Sequence, residues 1–101
     1  MARGTNLESG FQDNLIKDIK ELFPGCIVSK QDHPQGFPDL LILYENKWAT
    51  LEVKKDISAS HRPNQDYWVD KTNTMSFSRF IYPENRKEVL DELKIFFGKA
   101  T

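Results

Sequence analysis

The stretch from Gly36 to Lys54 constrains this chain more than any other. Gly36-Phe37-Pro38-Asp39-Leu40-Leu41-Ile42-Leu43-Tyr44 and Trp48-Ala49-Thr50-Leu51-Glu52-Val53-Lys54 are apolar-rich, β-prone runs with Glu45-Asn46-Lys47 between them. They read as a β-hairpin turning at Asn46-Lys47. Strand side chains alternate between faces, so Glu52 and Lys54 point the same way. A two-residue turn there pairs Glu45 with Trp48, setting Asp39 opposite Lys54 and Leu41 opposite Glu52. Asp39, Glu52 and Lys54 then share one face at the hairpin's open end, an arrangement suited to a metal ion with an attendant base. Register matters, because a one-residue slip sends Asp39 to the other face. The plain alternative is a cross-strand ion pair with Lys54, worth about 0.2–1 kcal/mol.

Pro38-Asp39, then Glu52-Val53-Lys54 after twelve intervening residues, resembles the signature of the PD-(D/E)XK nuclease superfamily. The short chain and its Gly-Phe-Pro-Asp entry are most similar to the small VRR-type nucleases and Holliday-junction resolvases. The resemblance implies an α/β fold with a restriction-endonuclease-like core, a central mixed sheet flanked by helices. It implies a Mg²⁺-dependent (or Mn²⁺-dependent) endodeoxyribonuclease acting on branched, junction or duplex DNA, with Asp39, Glu52 and the Val53 carbonyl as metal ligands and Lys54 beside them. Hard oxygen ligands suit Mg²⁺, whose remaining positions are filled by water and substrate phosphate. Lys54 would orient or deprotonate the attacking water, or stabilise developing charge; base catalysis requires its pKa to be lowered. A domain this small encloses little DNA, so a homodimer with two sites is expected, acting in the cytoplasm (for a virus-encoded member, that of the host).

The remaining segments are read for what they bring to that cluster. Leu7 to Phe23 has helical periodicity, with Thr5-Asn6-Leu7-Glu8 resembling a capping box and Pro24-Gly25 a stop. Leu7, Phe11, Leu15, Ile16, Ile19, Leu22 and Phe23 form its apolar stripe, and Glu8 and Gln12 fall inside it. An inward acid is costly unless paired or metal-bound. Glu8 therefore either reaches the hairpin cluster as a further ligand or merely completes the capping box. Cys26 to Lys30 reads as a short strand, followed by a turn-rich loop containing His33, which is read as a bystander. Pro38 suits the first position of the next strand. Pro63 suits a helix start, and in the helix to about Lys71, Gln65 shares the inward face with Trp68, Val69 and Thr72. The resemblance gives a glutamine here the task of positioning the lysine; otherwise it is a core amide satisfied by backbone. Tyr67 and Trp68 are assigned to the core rather than to base-stacking surfaces. Met75 to Tyr82 alternates like an edge strand, and Glu84 to Phe97 forms a last helix with Val89, Leu90, Leu93, Phe96 and Phe97 inward. The expected order is α-β-β-β-α-β-α in one domain spanning residues 1–101.

Composition fits a folded chain, with 39% hydrophobic and 29% charged residues. Neither a membrane-spanning run nor a signal-peptide core is expected, and the single Cys26 can form neither an internal disulfide nor a zinc cluster. Net charge is −1, from 14 basic and 15 acidic residues; setting aside Glu8, Asp39 and Glu52 leaves 12 acids against 14 bases. That balance is neutral towards nucleic acid. Lys30, His33, Lys55, His61, Arg62 and Lys71 fall in or near loops that could contact phosphate, although such residues are usually solvated surface charges. Two other classes stay open: a catalytically inactive nucleic-acid-binding module of the same fold, and a toxin-like or structural partner protein whose acids only brace loops.

Overall fold

Alternation along the central strands sorts the molecule into layers. In the computed structural model, which describes residues 3–98 and the side chains of residues 8–98, the elements are α1 (Arg3–Leu22), β1 (Ile27–Lys30), β2 (Leu40–Tyr44), β3 (Lys47–Val53), α2 (Pro63–Met75), β4 (Ser78–Ile81), a 3-10 turn (Pro83–Asn85) and α3 (Arg86–Phe97). The fold is α/β. Its four-stranded mixed sheet has the order β1-β2-β3-β4, antiparallel except where β4 runs parallel to β3. Leu40, Ile42, Tyr44, Ala49, Leu51 and Val53 occupy one face. They form a single core with Leu15 and Ile19 of α1, Phe23 just beyond its end, and Val89, Leu90, Leu93 and Phe97 of α3. At Phe23 the ring meets Phe97 edge-on, with centroids 5.1 Å apart.

The opposite face is polar where it is buried. Helix α2 packs there against β3 and β4. Thr50 Oγ1 lies 3.1 Å from Thr72 Oγ1 and 2.8 Å from Ser78 Oγ, closing a buried hydroxyl cluster between strand and helix. Over β1, β2 and the start of β3 the same face carries Ile27, Leu41, Leu43 and Trp48, with Ile27 60% and Leu43 40% exposed.

Several boundaries differ from expectation. The hairpin turns at Glu45-Asn46, pairing Tyr44 with Lys47 and Leu40 with Leu51. Glu45 adopts φ 57°, the left-handed conformation that tight hairpin turns require at a central position. Asp39 is therefore not opposite Lys54, nor Leu41 opposite Glu52: Leu41 pairs with Thr50, and continuing the register places Asp39 level with Glu52. The displacement is an even number of residues, so each side chain keeps its face. Helix α1 begins at Arg3, which puts Thr5-Asn6-Leu7-Glu8 inside the helix rather than at a cap; the side chains of Thr5 to Leu7 lie outside the described residues. Pro38 and Asp39 precede β2, and α2 continues to Met75.

Candidate active site

Strand β3 delivers the polar residues to where the sheet's two middle strands part. Glu52 and Lys54 follow Thr50 on the α2 face and are only 3% and 8% exposed. Asp39 arrives from the loop before β2, and its Oδ2 accepts the Val53 backbone N–H at 2.9 Å. That loop is latched to the first turn of α2. Asn64 Nδ2 donates to the Gln35 carbonyl at 3.2 Å, and Gly36, at φ 87°, sits so near that a Cβ would come within 2.6 Å of the Asn64 side chain. Glu8 contributes from α1 and Gln65 from α2. Together Glu8, Asp39, Glu52, Lys54 and Gln65 line one open cleft of about 900 Å³.

Inside the cleft, Gln65 joins the acid to the amine. Its Nε2 donates to Glu52 Oε2 at 2.9 Å, while its Oε1 accepts from Lys54 Nζ at 2.8 Å and from the Arg62 backbone N–H at 3.0 Å. Two donors converging on Oε1 determine which way the amide faces, since a flip would set NH₂ against both. Lys54 Nζ also donates to the Ser60 carbonyl at 3.1 Å and lies 3.9 Å from Glu52 Oε2. Glu52 Oε1, by contrast, is buried and has no hydrogen-bond partner among the described residues. A buried, unpaired carboxylate oxygen is costly.

The electrostatics follow from that crowding. Burial, then the neighbouring Asp39, push Glu52 up to about 8, against partial relief from Lys54. Asp39 is raised by burial, with the Val53 N–H and Lys54 acting in the opposite direction. Glu8 is raised by burial and by Asp39, offset in part by Lys54 and Lys55. Burial is the first cause for all three acids, with mutual repulsion added at Glu8 and Glu52.

Not every residue named from the sequence sits in the cleft. Val53 enters through its amide, and its side chain is fully buried in the core on the other face. His33 is at the surface beside Asp32, and Lys30 pairs with Asp13 at 3.8 Å. Lys55 and Arg62 do line the cleft, whereas Lys71 is exposed outside it. His61 is held by Asp66, 3.1 Å from its Nδ1, and stacks on Phe80 at 3.8 Å. Tyr67 is 56% exposed and Trp68 only half-buried, so neither belongs to the core as expected: the inward stripe of α2 is narrow and centres on Val69 and Thr72. Glu8 shares the cleft, yet among the described residues no group of three or more His, Cys, Asp or Glu side chains is arranged to hold a metal ion.

Two contributors escaped the sequence reading. Asp56 also lines the cleft, and its Oδ1 accepts the Ser58 N–H at 2.9 Å and the Ser58 hydroxyl at 2.7 Å; these bonds, the hydroxyl's first, lower its pKa. The Asp-x-Ser spacing was the available signal for this turn. The Ser60 carbonyl that receives Lys54 left no signal in the sequence, because any residue supplies a carbonyl. Among the described residues, no helix is long and apolar enough to cross a membrane. Comparison of the chain with protein-family models, curated proteins and solved structures returns no match.

Proposed function

We propose that this chain is a Mg²⁺- or Mn²⁺-dependent endodeoxyribonuclease that hydrolyses phosphodiester bonds in branched or junction DNA. The observation that carries the reading is the state of Glu52: buried, level with a second carboxylate, and left with one oxygen unpartnered in an open cleft. The donor set fits a hard divalent cation. Mg²⁺ is commonly held by one or two carboxylates with water and substrate phosphate completing its shell, so Asp39 and Glu52 suffice without a third acid. Glu8 is then a neighbour that strengthens the local negative potential.

When bound, the cation would supply charge neutralisation at the phosphoryl oxygens and a more acidic attacking water. The chain's own residues do the rest. Asp39, anchored by the Val53 N–H, and Glu52, anchored by Gln65, present oxygens from two different elements at fixed orientation. Lys54, pinned by Gln65 and the Ser60 carbonyl, holds its ammonium beside the carboxylates to stabilise the negative charge developing on the phosphate. Gln65 is a positioning residue acting through both neighbours. The finer reading of the fold, a restriction-endonuclease-like core, belongs to the same proposal. It is supported by the hairpin carrying Pro38-Asp39 and Glu52-Val53-Lys54 and the parallel β3-α2-β4 unit after it. A second copy would cover the uncovered face of β1 and β2.

Labelled four-way junction, nicked and linear duplexes test the reading when incubated with Mg²⁺ or with chelator, beside Asp39→Ala. The expected result is cleavage lost with chelator and with the substitution. Cleavage surviving either refutes the mechanism; DNA binding without cleavage of any substrate favours the inactive binding module.

A further inference from the structure

We infer that Phe37, Trp68 and Tyr67 form a stacking platform for unpaired nucleobases beside the cleft, so the DNA that this site takes is single-stranded next to the scissile phosphate. The inference rests on the nuclease reading for the phosphate and on separate observations for the bases. The three rings touch in sequence and edge-on: Phe37 meets Trp68 at a centroid distance of 5.4 Å with 61° between their planes, and Trp68 meets Tyr67 at 5.2 Å with 82°, so each ring turns its face in a different direction. They stand outside the hydrophobic core, with Phe37 and Trp68 half-buried and Tyr67 56% exposed. The rings do not line the cleft themselves but stand on the two elements that do, with Phe37 two residues from Asp39 and Trp68 three from Gln65 on α2. The Asn64 latch ties the loop carrying Phe37 and Asp39 to the first turn of α2.

The cleft wall carries Lys54, Lys55 and Arg62 beside Glu8, Asp39, Glu52 and Asp56. Lys55 and Arg62 line the cleft, and among the described residues neither pairs with a carboxylate, although Lys30, Arg79, Arg86 and Lys87 do. Asp66, the acid beside Tyr67, is engaged by His61. Cations that track a backbone beside aromatic faces that receive bases are the two components of single-strand binding, and every base has a face to stack. A duplex keeps its bases stacked on one another and offers nothing to such a row.

The test uses the protein's own fluorescence. Trp68 is one of two tryptophans, and Trp48→Phe leaves it as the sole indole. In chelator, where nothing is cut, a short oligothymidine is expected to quench Trp68 saturably, binding at least about fivefold more tightly than blunt duplex of equal length. Tyr67→Ala, at an exposed position where folding is not at stake, is expected to weaken oligothymidine binding about fivefold or more while far-ultraviolet dichroism is unchanged. Absence of oligothymidine binding, unchanged Trp68 emission with oligonucleotide bound, equal affinity for oligothymidine and duplex, or a Tyr67→Ala protein that binds as tightly as the parent overturns the platform. So does a Tyr67→Ala protein that keeps oligothymidine affinity but loses self-association, which assigns the row to a protein interface. The two proposals fail separately: a protein that never cleaves yet quenches loses only the nuclease, whereas an active nuclease with an indifferent Trp68 loses only the platform.

Discussion

Replacing Glu52 with glutamine keeps the side chain's shape and removes its titration. In the folded protein this carboxyl is held up to about 8, against an ordinary value of 4.5 that it regains on unfolding. Between those pH values the folded state keeps a proton that the unfolded chain releases, so the stability of the parent protein falls as pH rises through the window. One proton of difference gives a slope of about 1.4 kcal/mol per pH unit. Between pH 5.5 and pH 7.5 the parent should therefore lose about 2–3 kcal/mol relative to Glu52→Gln. The amide cannot ionise, and it can still accept from Gln65 through its own oxygen. Asp39 and Glu8 are raised too, but both proteins retain them, so the comparison largely removes their share. Urea unfolding at several pH values in chelator, followed by tryptophan emission, measures the slopes. Parallel slopes, with a difference that changes by less than about 0.5 kcal/mol over the range, would refute the reasoning, since Glu52 would then already be ionised in the folded state.

Further outcomes follow from the same geometry. Mg²⁺ should raise the melting temperature more at pH 8.5 than at pH 6.5, because a cation must displace the proton on Glu52, and Asp39→Asn should abolish the shift; calorimetry checks both. Gln65→Ala leaves Glu52 Oε2 without its hydrogen-bond donor and Lys54 with the Ser60 carbonyl as its remaining acceptor, and should cost about 1–3 kcal/mol by denaturant unfolding and lower cleavage more than tenfold. Gly36→Ala combines a left-handed backbone with a Cβ 2.6 Å from Asn64, and should destabilise by about 1–3 kcal/mol. Pairing it with Asn64→Ala should recover only the steric part. Leu43→Asp, on the uncovered sheet face, should leave the fold intact by circular dichroism and convert a dimer to monomer in sedimentation.

Periodicity carried much of this molecule and stopped at identifiable points. A period of two set Asp39, Glu52 and Lys54 on one face of the hairpin, and in the structure all three line the same cleft. The same period cannot distinguish registers displaced by an even number of residues. The choice fell to the turn, where Glu45 rather than Asn46 takes the positive φ. Helical periodicity likewise set Glu8 and Gln65 among inward positions, and both line the cleft. It misjudged Tyr67 and Trp68, because a helix over a sheet edge buries only a narrow stripe and residue type alone does not report its width. The start of α1 was obscured by Thr5, whose capping preference is overridden within a longer helix.

The proline before Asp39 has a consequence for the main chain. In β3 the amides of Thr50 and Lys54 are spent on β4, so the polar groups of Val53 turn towards β2, where the register would bring Pro38 to meet them. Proline has no hydrogen to offer. The zipper between the two strands must stop there, with the Val53 amide passed to a carboxylate and its carbonyl unclaimed by any backbone donor from Pro38. An interruption in a sheet thus becomes a recess with oxygen in its wall, and a donor-bearing residue in place of Pro38 would let the strands close over it.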